Sequence, residues 1–128
     1  MWNIEKVEKM ADKVAIITGG NSGLGLETTK FLDSKGVKVI IAIRNKEKGD
    51  KIIREFNLKN TIAMELNLAS FESIKRFSKQ FKTDYKQLDY LVNNAGVMMT
   101  EELKTEDGYE LQFGTNHLGH FLLTKELL

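Results

Sequence analysis

The sequence lacks cysteine, proline, a strong excess of charge and any long apolar run. Without cysteine among its 128 residues, it has neither a disulfide nor a thiolate metal site. A net charge of +1 gives no basic field that would attract nucleic acid. No apolar stretch approaches the ~20 residues that a membrane helix needs, and residues 1–10 alternate charges where a signal peptide has an apolar core. These absences predict a cytoplasmic protein with no nucleic-acid or membrane partner.

What the sequence does contain is the composition of one globular domain. Hydrophobic residues make up 41% and charged residues 29%, which is ordinary for a folded domain. A chain of 128 residues is long enough to bury one core. We therefore expect residues 1–128 to form a single domain.

Four apolar runs rich in β-branched residues alternate with segments of helical spacing. The runs, at 14–17, 37–43, 61–66 and 88–92, are predicted strands. Strands that alternate with helices at this spacing form parallel sheets with right-handed crossovers. The sequence thus predicts a three-layer α/β fold, a doubly wound parallel sheet of the Rossmann type that stops after the fourth strand and its helix.

The helical segments have apolar stripes and end signals. The stripes are Leu24, Thr28, Phe31 and Leu32; Ile52, Ile53 and Phe56; Ile74, Phe77 and Phe81; and Leu111, Leu118 and Leu122. Asn45 and Ser70 are predicted N-caps, and Gly36 is predicted to end the first helix. We expect the fourth helix to run from about Thr105 to the end, with nearby acidic residues complementing its dipole: Glu101, Glu102, Glu106 and Asp107.

A glycine-rich loop joins the first predicted strand to the first helix. Its glycines, at positions 19, 20, 23 and 25, let the backbone approach a phosphate closely. The free amides at the start of the following helix favour the same anion. If the strand order is 3-2-1-4, the polar turn 93–96 after the fourth strand lies in the same crevice, where the strand order reverses. Two separate features therefore predict one dinucleotide site.

Three motifs in order resemble the short-chain dehydrogenase/reductase family, in wording close to its retinol dehydrogenase and protochlorophyllide reductase branch. They are Thr-Gly-x-x-x-Gly-x-Gly at 18–25, Asn-Asn-Ala-Gly at 93–96, and Asn-His-Leu-Gly-His-Phe at 116–121. The resemblance implies hydride transfer between a nicotinamide cofactor and an alcohol or carbonyl substrate, and it implies that Asn116 assists catalysis. It implies cofactor binding by the loop and turn residues Thr18, Gly19, Asn21, Ser22, Gly23, Leu24, Gly25, Asn93, Ala95 and Gly96.

Residues after the second and third strands bear on the choice of cofactor. Arg44 stands where NAD-binding sheets usually carry an acidic residue for the ribose 2′-hydroxyl, and its guanidinium suits the 2′-phosphate of NADP. The alternative is a solvated arginine at a helix start, an unfavourable place for a cation. Asn67 replaces the aspartate that the family uses for the adenine amino group, and Leu68 is expected against the adenine. The sequence favours NADP(H) over NAD(H).

The acid/base residues of the family are not found in this sequence. The family needs a serine and a Tyr-x-x-x-Lys pair, but the residues four after Tyr85, Tyr90 and Tyr109 are Asp, Asn and Phe. Two interpretations stay open: the N-terminal part of an NADP-dependent oxidoreductase, or a nucleotide-binding or partner-binding module without catalysis. The apolar end of the last helix suggests a homo-oligomer.

The remaining candidate residues favour no further chemistry. Met98 and Met99 are expected either at a substrate cavity or in the core. His117 and His120 have too few companions for a metal site, and ordinary packing or a solvated face is the better account of them.

Overall fold

The computed structural model describes residues 3–97 and 102–128. The predictions for Met98, Met99 and Glu101 lie outside these residues. In the described residues the four strands are β1 (Val14–Thr18), β2 (Lys38–Ile43), β3 (Thr61–Glu65) and β4 (Tyr90–Val92). They form one parallel sheet in the order β3-β2-β1-β4, with Ile16 opposite both Ile40 and Leu91. The predicted strand order is confirmed.

Helices connect and follow the strands. They are a short 3-10 helix (Ile4–Lys6), α1 (Gly23–Ser34), α2 (Lys46–Glu55), α3 (Phe71–Asp84), α4 (Leu111–Phe113), a π-helix (Gly114–Gly119) and α5 (His120–Leu127). The last three continue one another with helical backbone angles at both junctions. We call residues 111–127 the C-terminal helix.

The ends of α1, α2 and α3 follow the predicted signals. The Asn45 side chain accepts a hydrogen bond from the amide of Lys48 at 3.1 Å, and Ser70 caps α3 through the amide of Ser73 at 3.2 Å. Gly36, with φ +84°, follows α1 at its C-terminus. The three predictions are confirmed, because each residue type satisfies backbone groups that a helix end leaves free.

Both faces of the sheet are covered, which gives three layers. On one face a cluster around Ile17, Ile41 and Leu32 packs beneath α1 and α2. On the other face a cluster around Ile16, Phe77 and Leu123 packs beneath α3 and the C-terminal helix. This two-sided burial explains why β1 and β2 read as continuous apolar runs rather than as alternating ones.

Two of the predicted helix faces are only partly right, with Leu32 buried and Phe31 and Leu122 packed against the core as predicted. Leu24 is 82% exposed, and α1 faces the sheet through Gly25, Thr29, Leu32 and Asp33. The C-terminal helix begins at Leu111, not near Thr105, and its fully buried leucine is Leu123. In α1 the residues that approach the sheet most closely are small, so an apolar stripe does not mark that face.

A turn segment, residues 104–110, precedes the C-terminal helix and contacts α3. Its ends pair at Lys104 and Glu110. The Asp107 carboxylate accepts a hydrogen bond from the amide of Phe71, the first residue of α3, at 2.8 Å. Asp107 therefore stabilises the N-terminus of α3, and its predicted association with the last helix is wrong. Glu110 caps the C-terminal helix, through the amide of Phe113.

Candidate cofactor site

The loop between β1 and α1 packs tightly against the turn after β4. A Cβ on Gly25 would lie 2.4 Å from both the carbonyl oxygen of Gly19 and the side-chain amide nitrogen of Asn94. A Cβ on Gly19 would lie 3.0 Å from that of Ala95. Only residues without side-chain bulk fit this approach. The sequence motif at 18–25 thus brings its loop within contact of the motif at 93–96.

The outer side of the same loop is open. Gly23 has φ +54°, which favours glycine, and a Cβ there would meet no atom of the described residues within 4 Å. The Ser22 side chain makes no capping hydrogen bond, and the first amides of α1 have no partner inside the helix. Leu24 projects beside them, exposed. The start of α1 can therefore receive an anion from solvent.

Thr18, the last residue of β1, links the loop to the turn. Its side chain is fully buried, and its hydroxyl oxygen accepts hydrogen bonds from the amides of Asn94 and Ala95, both at 2.9 Å. The side-chain nitrogen of Asn94 in turn donates a hydrogen bond to the backbone carbonyl of Thr18 at 3.2 Å. One threonine thus fixes the backbone of the polar turn against the end of the central strand.

The segment after this turn is held by the C-terminal helix. The Asn116 side chain accepts from the amide of Val97 at 2.8 Å and donates to its carbonyl at 2.7 Å. Asn93 contacts the same helix through Thr124 at 3.3 Å. The predicted catalytic Asn116 therefore holds the path of the chain beyond Gly96, and it does so from within the π-helix.

A cavity of about 150 Å³ lies at the carboxyl ends of β2, β3 and β4. Its lining includes the predicted cofactor residues Arg44, Asn67, Leu68, Ala95 and Gly96. The side-chain oxygen of Asn67 accepts a hydrogen bond from the backbone amide of Ala69 at 2.9 Å, which orients the side chain. Thr115 also lines the cavity, and its buried hydroxyl is without a hydrogen-bond partner among the described residues. Buried hydroxyls are usually hydrogen-bonded, so Thr115 is an exception among the described residues.

A second, more open cavity of about 530 Å³ adjoins the start of α2. It is lined by Asn21, Arg44, Asn45 and Lys48. Of these four residues, only Lys48 had no role predicted from the sequence. Within the described ranges, the exposed Arg44 has no hydrogen bond or ion pair. Two cations thus stand at the start of a helix, where the dipole disfavours them unless an anion binds. The spacing of Arg44 and Lys48 across an N-cap was the available signal.

The histidines differ from each other. His117 is exposed and stacks on Phe113, with ring centroids 5.3 Å apart. His120 is buried, which agrees with the expectation of packing, and it hydrogen-bonds the hydroxyl of Thr18 through Nε2 at 2.9 Å. The described residues contain no cluster of three or more metal-ligating side chains.

The predicted residues thus surround one crevice at the carboxyl edge of the sheet, although in separate parts. The loop 18–25 meets the turn 93–96, and Arg44 lines both cavities beside them. Asn93 and Asn116 line a third cavity, of about 400 Å³, on the side of the C-terminal helix. A glycine loop at the end of β1, a helix start and a polar turn at the reversal of strand order define a dinucleotide-binding fold of the Rossmann type.

Comparison with known proteins specifies the class further. The sequence profile of the short chain dehydrogenase family matches residues 13–128, so the chain belongs to that family. Retinol dehydrogenase 11 of Mus musculus is 45% identical over 124 residues, which are 94% of this chain and 39% of that protein. Polyprenol dehydrogenase of Danio rerio is 48% identical over 120 residues, 91% of this chain and 37% of that protein. The chain therefore spans about two fifths of the length of such curated relatives.

Solved structures agree with this assignment. An uncharacterised protein from Mycobacterium paratuberculosis superposes with a TM-score of 0.88 and 39% identity, covering 98% of this chain and 45% of that one. The RhlG/NADP active-site complex of Pseudomonas aeruginosa superposes with a TM-score of 0.79 and 25% identity, covering 93% and 48%. Among residues 3–97 and 102–128, no helix has the length and apolar character needed to span a bilayer.

Proposed function

We propose that this chain is the NADP(H)-binding part of a short-chain oxidoreductase that moves hydride between nicotinamide and an alcohol or carbonyl substrate. The observation that carries the proposal is the convergence of the 18–25 loop, the 93–96 turn and the Arg44 cavities on one crevice. Relatives named for retinol and polyprenol support an alcohol or the matching carbonyl compound as substrate. The cytoplasmic location stays a prediction from the sequence.

The residues present fit the parts of a dinucleotide. The open space at Gly23 and the free first amides of α1 suit a pyrophosphate. The 150 Å³ cavity, with Leu68 in its lining and the unpartnered Thr115 hydroxyl, suits an adenine ring with polar edges. Asn67 keeps one lone pair of its carbonyl for the adenine amino group. Nicotinamide supplies the hydride chemistry when the cofactor is bound.

The charge around Arg44 supports NADP over NAD. Arg44 and Lys48 line one open cavity, and no acidic residue is among the residues of its lining. Lys46 is already paired with Asp50 at 3.0 Å, which leaves Arg44 and Lys48 as the cations of this cavity. A guanidinium and an ammonium there would bind a 2′-phosphate by charge-assisted hydrogen bonds.

The chain's own residues account for binding and orientation but not for proton transfer. Asn116 holds the backbone at Val97, and the Thr18 hydroxyl holds the turn that leads to it. No tyrosine of this sequence has a lysine four residues on. We therefore propose that a serine and a Tyr-x-x-x-Lys pair outside these 128 residues supply the acid and base.

Fluorescence titration with NADPH and NADH tests the proposal. We expect the wild-type chain to bind NADPH more tightly than NADH. Arg44→Asp should weaken NADPH binding by about tenfold or more, since it removes a cation and places an anion near the phosphate. Lys51→Asp makes the same change of charge on an exposed residue of α2 and is the matched control.

The possible results separate the parts of the proposal. Equal affinities for both nucleotides in the wild type would contradict the preference for NADP. The absence of binding by either nucleotide would contradict the cofactor site itself. An equal loss in Arg44→Asp and Lys51→Asp would show that only the overall charge of α2 matters.

A further inference from the structure

His120 has a hydrogen-bonding arrangement that packing alone does not require. Its ring is buried beneath the end of β1, with Nε2 at 2.9 Å from the Thr18 hydroxyl and Nδ1 at 3.0 Å from the carbonyl of Asn116. A carbonyl oxygen only accepts, so Nδ1 carries the proton in this contact. In a neutral ring Nε2 is then an acceptor, and the Thr18 hydroxyl must donate to it.

The distances favour this arrangement of the Thr18 hydroxyl over one in which it donates to a carbonyl. A hydroxyl oxygen has two lone pairs and one proton. It accepts from the amides of Asn94 and Ala95, each at 2.9 Å, the former shared with the Val92 carbonyl at 3.0 Å, and its proton goes to His120. The other acceptor within reach is the carbonyl of Val92, at the longer distance of 3.4 Å. A proton on Nε2 would place a third donor on an oxygen that already accepts two.

At the end of the π-helix the carbonyl of Asn116 is left to accept from Nδ1 of His120. In a regular α-helix the carbonyl of Asn116 would accept from the amide of His120, four residues later. Here the amide of His120 donates to His117 instead, and the Asn116 carbonyl receives the imidazole. The same residue therefore clamps Val97 with its side chain and orients His120 with its backbone.

We propose that His120, in the neutral form protonated at Nδ1, is a positioning residue that keeps the Thr18 hydroxyl oriented to hold the 93–96 turn for the cofactor. Only the purpose of the turn, binding of the cofactor, rests on the proposed function. Ala95 and Gly96 of that turn line the 150 Å³ cavity, and Asn94 contacts the phosphate loop at Gly19. Loss of the acceptor at Nε2 would therefore loosen two walls of the site at once.

The surroundings of His120 favour its neutral form. Burial lowers its pKa below the ordinary 6.5, and the hydrogen bond to the Asn116 carbonyl opposes this only in part. The groups facing it from β1 and the turn, Thr18 and Asn93, are uncharged. Among described residues that line the adjacent cavity, the titratable side chains are those of His117 and Lys125, and none is Asp or Glu.

Three single variants of the whole 128-residue chain test the proposal. His120→Leu removes both ring nitrogens with little change of volume, His120→Gln returns an acceptor, and His117→Leu is the matched control on the exposed face. Each is measured in two ways: by the amide proton shifts of Asn94 and Ala95 without nucleotide, and by the affinity for NADPH. In the wild type, nitrogen spectra at pH 7.5 should show Nε2 without a proton.

We expect His120→Leu to move both amide signals upfield and to weaken NADPH binding by about fivefold, as the loss of one hydrogen bond suggests. His120→Gln should return the amide signals toward their wild-type positions and the NADPH affinity to within about twofold of the wild type. His117→Leu should change neither the amide signals nor the affinity. Lowering the pH from 8 to 5 should produce the same amide shifts in the wild type and in His117→Leu, but not in His120→Gln.

Contrary results are equally specific. A proton on Nε2 at pH 7.5, which is measured on the wild type and needs no variant to fold, would overturn the proposal. Unchanged amide signals in His120→Leu would do the same. If the amide signals respond as expected but no nicotinamide nucleotide binds the wild type, the role of His120 in holding the turn is supported and the proposed function fails.

Discussion

Substituting alanine for Gly25 separates the effect of close packing from the effect of helix propensity. Alanine is favoured over glycine inside a helix by about 1 kcal/mol, so propensity alone predicts a more stable protein. The structure predicts the opposite, because a Cβ at Gly25 would lie 2.4 Å from the carbonyl oxygen of Gly19. That obstacle is backbone and cannot rotate away, and overpacking of this kind costs about 1–3 kcal/mol.

The same Cβ also meets the side-chain nitrogen of Asn94, which donates to the carbonyls of Thr18 and Gly19. Displacing Asn94 adds about 1 kcal/mol to the cost. We therefore expect Gly25→Ala to lower the free energy of unfolding by about 1–3 kcal/mol after the propensity gain, measured by urea denaturation. A variant as stable as the wild type, or more stable, would refute the packing argument.

Gly23→Ala provides the comparison within the same loop. Its Cβ would meet no atom within 4 Å in the part of the chain that the structure describes, but its φ of +54° disfavours alanine by about 1–2 kcal/mol. The added methyl group would project into the open side of the loop, where we propose the pyrophosphate. We expect Gly23→Ala to lose more free energy of NADPH binding than free energy of unfolding. Gly25→Ala should lose free energy of both binding and unfolding. Equal affinity in Gly23→Ala and the wild type would place the phosphates elsewhere.

Two further predictions concern stability and assembly. Asp33→Ala should lower the free energy of unfolding by about 2–4 kcal/mol in urea denaturation, because the carboxylate accepts from the amide of Asn60 at 2.9 Å and from the buried hydroxyl of Thr61 at 2.6 Å. Asp50→Ala, which breaks an exposed ion pair, should lower it by about 0.5 kcal/mol or less. Equal losses of stability in the two variants would contradict the role of burial. We also expect the chain to self-associate in light scattering through its C-terminal helix, where Phe121 is 63% exposed; Phe121→Glu should reduce the mass, and a monomeric wild type would contradict this.

The strands and their order could be predicted because parallel strands buried on both faces leave a strong signal in the sequence. The apolar runs predicted β2 and β3 to within one residue at either end. The order 3-2-1-4, which is the usual one of a doubly wound sheet, was a condition of the prediction, and the structure has it. The caps Asn45 and Ser70 were predictable because capping depends on one side chain and the backbone beside it.

Features that depend on tertiary contacts could not be predicted. Asp107 caps a helix 36 residues earlier in the chain, and nothing local marks that partner. The hydrogen bond between His120 and Thr18 spans 102 residues, so an isolated histidine on a helix could not reveal it.

The π-helix at 114–119 has a consequence for the pattern of the C-terminal helix. A π turn holds more residues than an α turn, so the helix beyond it is out of phase with the helix before it. An α-helical pattern that starts at Leu111 expects Leu118 and Leu122 on the sheet side, whereas the most buried positions are Gly119 and Leu123, one residue later in each case. The buried face of the helix therefore has one phase before the π turn and another after it, and the phase after it places His120 under Thr18.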